Sequence, residues 1–502
     1  MDRLEVLRQL MEGGLLARAR LLSANELAAY ADRDIVAGLL GAVSVAGRDV
    51  SIMVGLPRHF PLRLPAVFLL PWDALGIMPH IEQDGYICYA DNEGLILDSS
   101  DPVGILEEAL HRAIRLLELG FSGNNRMDFM DEFLAYWTRL DPEDSLLSVL
   151  EPSEYVHEVE IYRNRRQDLW VADNSAQLVS YLGGRRKALE TLTLRKGLYI
   201  PLKPGSFVAP PLPNQPWSLQ DVQDIINRNI TEENRKLLQR FTQRKAKWEE
   251  IVVLALPRPS GGLHFIGLRF RNVRGSHPLS DKSTSEPPRP LMIWRRDWRY
   301  LAPRGGTLEG LDKWNVLLVG VGSVGGFLAM GLVQNGLRHL TIVDPDVFMA
   351  ENTFRHVLGQ AYIGQAKVQA LKTEIERKYP YMVVTPCQAT IEDAVTSGSI
   401  KLADYDLCIF VTGNHTVELY MNELVRKANG KAIFAWVEPY GLGGHALLMQ
   451  PSAQGCLRCL YTPIDETDSP LLNRASFAAP GQHFAKDDLR WTPLSRHDFG
   501  LG

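Results

Sequence analysis

Between Asn315 and Lys367 the sequence sets glycines, a carboxylate, an amide and two cations in an order that can hold a nucleotide. Asn315-Val-Leu-Leu-Val-Gly-Val-Gly-Ser-Val-Gly-Gly puts Gly320, Gly322 and Gly325 in the spacing G-x-G-x-x-G, after an apolar strand pattern and at the opening of a helix. Glycines there let the backbone approach phosphate oxygens and aim helix-terminal N–H groups at them. One strand pattern later, Leu340-Thr-Ile-Val-Asp344 ends in an acid about 20 residues beyond the glycines, where a crossover brings a carboxylate to ribose hydroxyls. A nicotinamide-dependent dehydrogenase satisfies this much equally well. Asn352, Arg355 and Lys367 follow, and hydride transfer has no need of an amide, a guanidinium and an ammonium beyond the ribose acid. Neutralising a triphosphate under attack by a carboxylate does need them. Singly, each residue also fits a solvated loop or a capped helix start; the ordered set is harder to explain that way.

This stretch resembles the adenylating enzymes that activate ubiquitin and its sulfur-carrier relatives, the ThiF type. Their pattern is G-x-G-x-x-G, then D-x-D, N-x-x-R and a G-x-x-K turn, and Asp344-Pro-Asp346, Asn352-Thr-Phe-Arg355 and Gly364-Gln-Ala-Lys367 match in order. The likeness runs roughly from Lys313 to Tyr461. It implies that Asp344 holds the ribose, Asn352 and Arg355 the phosphates and adenylate, and Lys367 the region of the transferring α-phosphate, with ATP and Mg2+ bound. Where the family carries a Mg2+-binding Asp after the next strand, this chain reads Ile409-Phe-Val-Thr-Gly413-Asn414, and Glu418 one turn on is a candidate substitute.

A second cluster surrounds Cys88, in Met78-Pro-His-Ile-Glu-Gln-Asp-Gly-Tyr-Ile-Cys88, preceded by prolines at 61 and 65. A shallow, partly exposed thiol suits large protein partners and stores acyl energy as a thioester, because sulfur leaves readily. The arrangement is similar to the ubiquitin-conjugating fold, in which a proline-rich strand exit leads to H-P-N and then to G-x-I-C. Pro79, Gly85, Ile87 and Cys88 fall in register, while Met78 stands for the His and His80 for the Asn. The resemblance, over residues 1–140, implies that Cys88 carries the thioester and that His80 assumes the oxyanion-stabilising task through one imidazole N–H. The plainer alternative makes Cys88 a small hydrophobe in a non-catalytic relative and His80 a packing residue.

Cys456-Leu-Arg-Cys459 has the spacing of half a tetrahedral zinc site. Relatives of this domain often carry a second C-x-x-C further on, and none follows here before Gly502. Either the adenylation domain is incomplete at its C-terminus, or zinc is absent and the pair is packing or redox. Ubiquitin-activating enzymes also use a thioester cysteine after the adenylation core; no cysteine follows Cys459, and the segment from Gly481 could be part of that region without its thiol. Cys387 and Cys408 lie in apolar strand patterns and are expected in the core.

The elements that must position these residues fall into three segments, giving a multidomain α/β chain. Residues 1–145 open with an amphipathic helix, continue through strand patterns at Ile35–Val45 and Ser51–Val54, and close with helical patterns at 103–119 and 127–140. This is the α+β, ubiquitin-conjugating-like domain. Residues 146–305 form a middle α+β linker domain with a helix opening at Ser218, a capping box with Asp221, and paired strands at 251–256 and 263–270. The Ser- and Pro-rich stretch 274–290 is expected to be a flexible loop. Residues 306–502 alternate strands at 316–319, 340–343, 382–386, 407–411 and 432–436 with helices, the rhythm of a Rossmann-like doubly wound parallel sheet.

Composition limits the partners. Lys plus Arg number 54 against 59 Asp plus Glu, a net charge of −5, so no overall basic field advertises nucleic acid. The basic runs at 163–166, 185–187 and 244–247 read as solvated faces or docking points for an acidic partner. The N-terminus mixes both charge signs and lacks the pattern of a secretory signal, and the uncharged run Asn315–Leu337 is broken by six glycines, so no membrane segment is expected. Five scattered cysteines suit the reducing cytoplasm.

A conjugating-like domain ahead of an activating domain resembles the bacterial ubiquitin-transfer-like fusions of anti-phage CBASS operons. The resemblance implies adenylation of a protein's C-terminus, transfer to Cys88 and then to an acceptor amine on a target. It further implies a cGAS/DncV-like nucleotidyltransferase as acyl donor and a homodimer. Two alternatives stand beside it: a sulfur-carrier adenylyltransferase of cofactor biosynthesis, and a non-catalytic adaptor with a degenerate nucleotide fold.

Overall fold

The computed structural model describes residues 2–462 apart from 91–94, 143, 164–167, 183–192, 213, 245, 281–285, 439–440, 442 and 453, together with Ser476 and Phe477. The segment from Gly481 and most of the basic runs at 163–166 and 185–187 lie outside the described residues.

Near the N-terminus, α1 (Arg3–Glu12) starts where the Asp2 carboxylate accepts from the Leu4 N–H, and it buries Val6, Leu7 and Leu10. Strands β1 (Ala17–Leu21), β2 (Ile35–Val45), β3 (Arg48–Pro57) and β4 (Ala66–Leu70) pair in the order 1-2-3-4, all antiparallel. The β2–β3 hairpin turns on Ala46 and Gly47, both at positive φ (48° and 81°), the twist a two-residue turn requires. Between β1 and β2, α2 (Ala24–Leu27) opens on a Ser23–Glu26 capping box. After β4 comes α3 (Pro102–Ser122), capped by Asp101 and ended by Gly123 at φ 73°; it lays Leu106, Leu110, Ala113 and Leu117 against Val43, Val50, Ile52, Val54, Val67 and Leu69 of the sheet. One helix expected over 127–140 is two, α4 (Asp128–Asp131) and α5 (Phe133–Thr138), broken at Glu132, whose carboxylate turns instead to His80.

The middle of the chain contains β5 (Asp144–Ser148), β6 (His157–Arg163), β7 (Leu169–Ala172), α6 (Ser175–Tyr181), β8 (Thr193–Pro201), α7 (Leu219–Asn229), α8 (Glu232–Thr242), β9 (Ala246–Pro257), β10 (Leu263–Gly275) and β11 (Arg289–Arg295). The Ser218–Asp221 box caps α7 as read from sequence. β9 and β10 form a long antiparallel hairpin, with β8 parallel to β9 and β11 antiparallel to β10. Of the stretch 274–290 expected as a flexible loop, residues 281–285 lie outside the described residues; before them β10 runs to Gly275, His277 is fully buried, and Gln223 donates to the carbonyls of Pro278 and Ser280. Ser and Pro composition concealed that residues 276–280 are held by the buried His277 ring and by Gln223 of α7.

The chain divides into two compact units, one of Met1–Leu146, Pro152–Ile161 and Arg195–Trp294, the other of Leu147–Glu151, Tyr162–Leu194 and Arg295–Gly502. In the second unit, α9 (Trp298–Arg304) precedes the sheet strands β12 (Asn315–Val319), β13 (His339–Val343), β14 (Val383–Cys387), β15 (Leu407–Phe410), β16 (Ala432–Val437) and β17 (Gly444–Met449). Their order is 14-13-12-15-16-17, parallel except for β17. Around it lie α10 (Ser323–Gln334), α11 (Lys367–Lys378), α12 (Ile391–Thr396), α13 (His415–Lys427) and α14 (Leu457–Tyr461). Val316 to Val319 are all buried, the continuous apolar run of a strand covered on both faces. β17 escapes the sequence pattern because only Met449 on this edge strand is buried. The sheet order reverses between β12 and β15, so a crevice forms at their carboxyl ends. Among the described residues no helix is long and apolar enough to cross a membrane.

Candidate functional site

At the carboxyl end of β12 the chain turns on Gly320, at φ 86°, where a Cβ would stand 2.7 Å from the Val411 carbonyl oxygen. A Cβ on Gly325 would lie 1.9 Å from the Gly320 carbonyl oxygen, so α10 closes on the turn only without a side chain. Gly322 is different: its Cβ position has nothing within 4 Å, and it heads α10 with no side-chain cap. The helix's first N–H groups therefore remain available to an anion.

Asp344 follows β13 and is buried. Its two carboxylate oxygens accept from the main-chain N–H groups of Val321 (2.8 Å) and Asp346 (2.9 Å), which ties the glycine turn to the D-x-D segment. Burial raises its pKa, against the opposing pull of Lys367 and these two N–H groups. Each oxygen keeps a further lone pair for a ribose hydroxyl. Lys367 opens α11; its ammonium donates to Asp346 at 2.8 Å and its N–H to the Asp346 carbonyl at 2.9 Å. Asp344, Asp346 and Lys367 thus form one connected group.

Asn352 and Arg355 lie on the loop between β13 and α11. The Asn352 carbonyl oxygen of the side chain accepts from the Met349 N–H at 3.0 Å, shaping the loop, and burial lowers the Arg355 pKa while Glu351 opposes. Sequence reasoning missed His356, which fastens this loop to the turn. Its Nδ1 accepts from the Leu358 N–H at 3.1 Å, which leaves Nε2–H to donate to the Val321 carbonyl at 2.6 Å. Burial lowers its pKa, and a Cβ on Gly326 would meet the ring at 3.1 Å. The sequence signal was there: a histidine directly after N-x-x-R, beside the second glycine of Gly325-Gly326.

Glu418 does not fit a metal ligand. It is fully buried, and one oxygen accepts from both the N–H (3.1 Å) and hydroxyl (2.9 Å) of Thr412, holding the turn that contains Gly413 at φ 68°. No group of three or more His, Cys, Asp or Glu suited to a metal occurs among the described residues.

In the other unit, Gly85–Cys88 extends the edge of β4: Leu69 N–H donates to Gly85 and Ile87 N–H to Val67, both at 2.8 Å. Gly85 has φ 91°, and a Cβ would sit 2.3 Å from the Leu69 carbonyl oxygen, which explains the glycine in G-x-I-C. Cys88 emerges exposed at the end of this segment. Met78, at the family's His position, is buried against Gly120 of α3. His80 adopts φ 66° and its carbonyl accepts from the Cys88 N–H at 2.8 Å. Its Nε2 meets Asp128 at 2.8 Å and its Nδ1 meets Glu132 at 2.6 Å, while its N–H donates to Glu132 at 3.1 Å. Burial resists the charge, but the two carboxylates outweigh it and raise the His80 pKa to about 9. An imidazolium with both nitrogens engaged does not offer the oxyanion bond expected of it; here the ring locks the loop.

Cys456 is buried and Cys459 exposed, with sulfurs 3.8 Å apart. The Cys456 sulfur accepts from Asn422 (3.5 Å) and Arg426 (3.3 Å) of α13. Burial opposes ionisation, but Asn422 and neighbouring N–H groups lower the Cys456 pKa to about 7. A cationic donor on the sulfur is a poor companion for a metal cation. Cys408 is in the core as expected, and Cys387 is partly covered.

Residues 15–145 match the family described as prokaryotic E2 family B, and residues 298–484 match the ThiF family. The chain is 27% identical over 430 residues to the ATP-dependent ubiquitin transferase-like protein Cap2 of Pseudomonas aeruginosa, covering 81% of this chain and 74% of that one. It is 25% identical over 459 residues to the protein of the same name from Escherichia coli, covering 82% and 74%. The molybdopterin-synthase adenylyltransferase of Escherichia coli is 32% identical over 128 residues, 25% of this chain and 51% of that one.

Proposed function

We propose that this chain, which joins a prokaryotic E2 family B segment to a ThiF segment, uses ATP to adenylate a partner protein's C-terminal carboxylate and conjugates that protein to an amine through Cys88. The observation that carries the reading is the presence on one chain of the Gly320–Lys367 crevice and an exposed cysteine ending a G-x-I-C segment.

In this reading the α10 N–H groups and Gly322 receive the phosphates, Asp344 takes a ribose hydroxyl, and Asn352, Arg355 and Lys367 surround the reacting α-phosphate. The carboxylate attacks that phosphorus, pyrophosphate leaves, and an acyl adenylate remains. The Cys88 thiolate then attacks the acyl carbon and AMP leaves; an amine attacks the thioester, and the thiolate departs. His80 acts as a positioning residue, fixing the main chain before Cys88. Arg355 and Lys367 supply the positive charge, and no Mg2+ ligand is assigned. The order of a conjugating-like segment ahead of an activating one, which resembles the CBASS fusions, makes a cGAS/DncV-like nucleotidyltransferase the acyl donor and anti-phage defence the setting in this reading. A homodimer in the cytoplasm belongs to the same reading.

The match to the molybdopterin-synthase adenylyltransferase favours a second reading, a sulfur-carrier adenylyltransferase. It leaves residues 15–145 without a task. ATP/pyrophosphate exchange with candidate C-termini distinguishes them. Exchange with the nucleotidyltransferase, lost in Arg355→Ala and Lys367→Ala, and a reducible adduct lost in Cys88→Ala, support conjugation. Exchange with a small sulfur carrier alone supports the second reading, and absence of ATP binding by calorimetry removes both in favour of an adaptor.

A further inference from the structure

After β15, where the adenylating family carries its Mg2+-binding acid, this chain has Gly413, and the nearby Glu418 has both carboxylate oxygens engaged. Oε1 accepts from the N–H and hydroxyl of Thr412, and Oε2 lies 3.4 Å from Nδ1 of His415. Mg2+ demands carboxylate oxygens free to enter a compact octahedron, so this donor set does not fit it. It fits an oriented imidazole. His415 opens α13 with a third of its side chain exposed. The Tyr461 hydroxyl also stands 3.4 Å from Nδ1, and the Trp436 indole meets the ring edge-on, with centroids 5.1 Å apart. One side of the ring is thus fixed by a buried carboxylate, a phenol and an indole, while Nε2 has no partner among the described residues. Trp436 adds a second unmet donor: the residue is 6% exposed, and its Nε1–H finds no acceptor among the described residues. Buried N–H groups are rarely left so, which points to an acceptor supplied from outside.

Placement and charge say which anion comes to His415. Asp344 grips the glycine turn on the β13 flank through Val321, whereas the Val411 carbonyl oxygen and the Thr412 Cα back Gly320 on the β15 flank, 2.7 and 3.1 Å from its Cβ position. With ribose on the β13 flank and phosphates at the head of α10, the β15–β16 flank is left to the second substrate. Two buried carboxylates stand there, Glu418 beside His415 and Glu438 on His445, whose ring stacks on Trp436 at 4.5 Å. They repel a multiply charged pyrophosphate more than a single carboxylate, and the rings of Trp436 and Tyr461 suit a peptide.

Resting on the conjugation reading, we propose that His415 binds the C-terminal carboxylate of the acyl donor, in place of a protein-held metal at this position. The imidazolium directs Nδ1–H toward Glu418 and Nε2–H toward the donor carboxylate, and the Trp436 Nε1–H takes a main-chain carbonyl of the same tail. The attack on phosphorus stays with the residues assigned above; His415 and Trp436 hold the nucleophile.

The test is ATP/pyrophosphate exchange by the full chain, with a cGAS/DncV-like nucleotidyltransferase as donor and the donor, ATP and Mg2+ varied in turn. His415→Ala should raise the KM for the donor at least about tenfold, while the KM for ATP and the Mg2+ concentration for half-maximal exchange stay within about twofold. Trp436→Phe, which keeps the ring and loses the N–H, should raise the donor KM about fivefold. His415→Gln, whose side-chain NH2 can replace Nε2–H, should return it to within about threefold of the wild type, a recovery that a packing role would not produce. A donor KM unchanged in His415→Ala and Trp436→Phe, or an ATP KM that rises with it, overturns the assignment. So does a tenfold shift in the Mg2+ requirement of His415→Ala, which would put a metal here. A wild-type chain that shows no exchange removes the conjugation reading and this assignment with it; wild-type exchange with insensitive variants removes the assignment alone.

Discussion

The main-chain N–H of Cys88 donates to the carbonyl of His80 across 2.8 Å, so the residue standing in the family's Asn position touches the thiol's own backbone. The His80 ring is meanwhile gripped by Asp128 and Glu132 from the segment after α3. The main chain that carries Cys88 therefore rests on an ion cluster one layer behind it.

That cluster makes the loop sensitive to alkali. The His80 pKa rises to about 9, well above that of an unfolded histidine. A raised folded-state value means stability fully present below roughly pH 6.5 and lost as the pH climbs through about 9. The size is on the order of 2 to 3 kcal/mol for a mostly buried ring. Urea unfolding of wild type and His80→Asn between pH 6 and pH 10 should show the difference between them shrinking across that window. A constant difference would mean that the ring is not charged in the folded chain.

Two glycines of one motif should fail differently when given a methyl group. Gly325→Ala drives a Cβ into the Gly320 carbonyl oxygen at 1.9 Å, so we expect a stability loss on the order of 3 kcal/mol. Gly322→Ala meets nothing within 4 Å and should fold normally, yet place its methyl where phosphate oxygens approach. ATP binding by calorimetry, weakened about tenfold with an unchanged melting temperature, is the expected result for that variant.

The sequence patterns that survived in the structure are those fixed by short-range geometry. The β2 limits at Ile35 and Val45, the Ser218–Asp221 cap and the five parallel strands were legible because periodicity and caps are local. The glycine motif was legible because close backbone approach excludes every other residue at Gly320 and Gly325. Long-range pairing was not. Nothing in the sequence joins His80 to Asp128 and Glu132, 48 and 52 residues away, and the expected free imidazole N–H was therefore mistaken. The same holds for Asn422 and Arg426, brought to Cys456 only by the packing of α13.

Asp344 is expected to be the least replaceable acid of the crevice. Asn at this position keeps one acceptor but turns an NH2 group toward a main-chain N–H of Val321 or Asp346. Losing a charged acceptor in a buried site costs about 1.5 to 3 kcal/mol. Pyrophosphate exchange in Asp344→Asn should fall by about 100-fold, larger than the loss in Asp346→Asn, where only the contact with the Lys367 side chain is weakened. Equal losses in the two variants would place the ribose contact elsewhere.

Glu418 separates a structural from a metal-binding acid. Its carboxylate is fully buried, with one oxygen accepting from Thr412 and the other 3.4 Å from His415 Nδ1. Glu418→Gln should therefore lower the melting temperature while leaving the Mg2+ concentration for half-maximal exchange within about twofold. Loss of a true ligand would raise that concentration about tenfold or more.

The two histidines that brace the two sites respond to pH in opposite senses. His356 acts as a neutral ring, donating to Val321 and accepting from Leu358, and burial pushes its pKa below the ordinary histidine value. With a depressed folded-state value, the unfolded chain takes up the proton first, so this contribution is present above the unfolded pKa and declines as the solution is acidified. His80 has the reverse sign and weakens on the alkaline side. Amide hydrogen exchange should consequently show Leu358, whose N–H donates to the His356 ring, losing protection as the pH falls from 7 to 5, while the Cys88 amide loses protection, beyond the intrinsic rise in exchange rate, only as the pH passes about 9. His356→Asn should abolish the acid-side change and leave the alkaline one intact. If both changes moved together, the two histidines would not be independent braces, and the separation of nucleotide turn from thiol loop would fail.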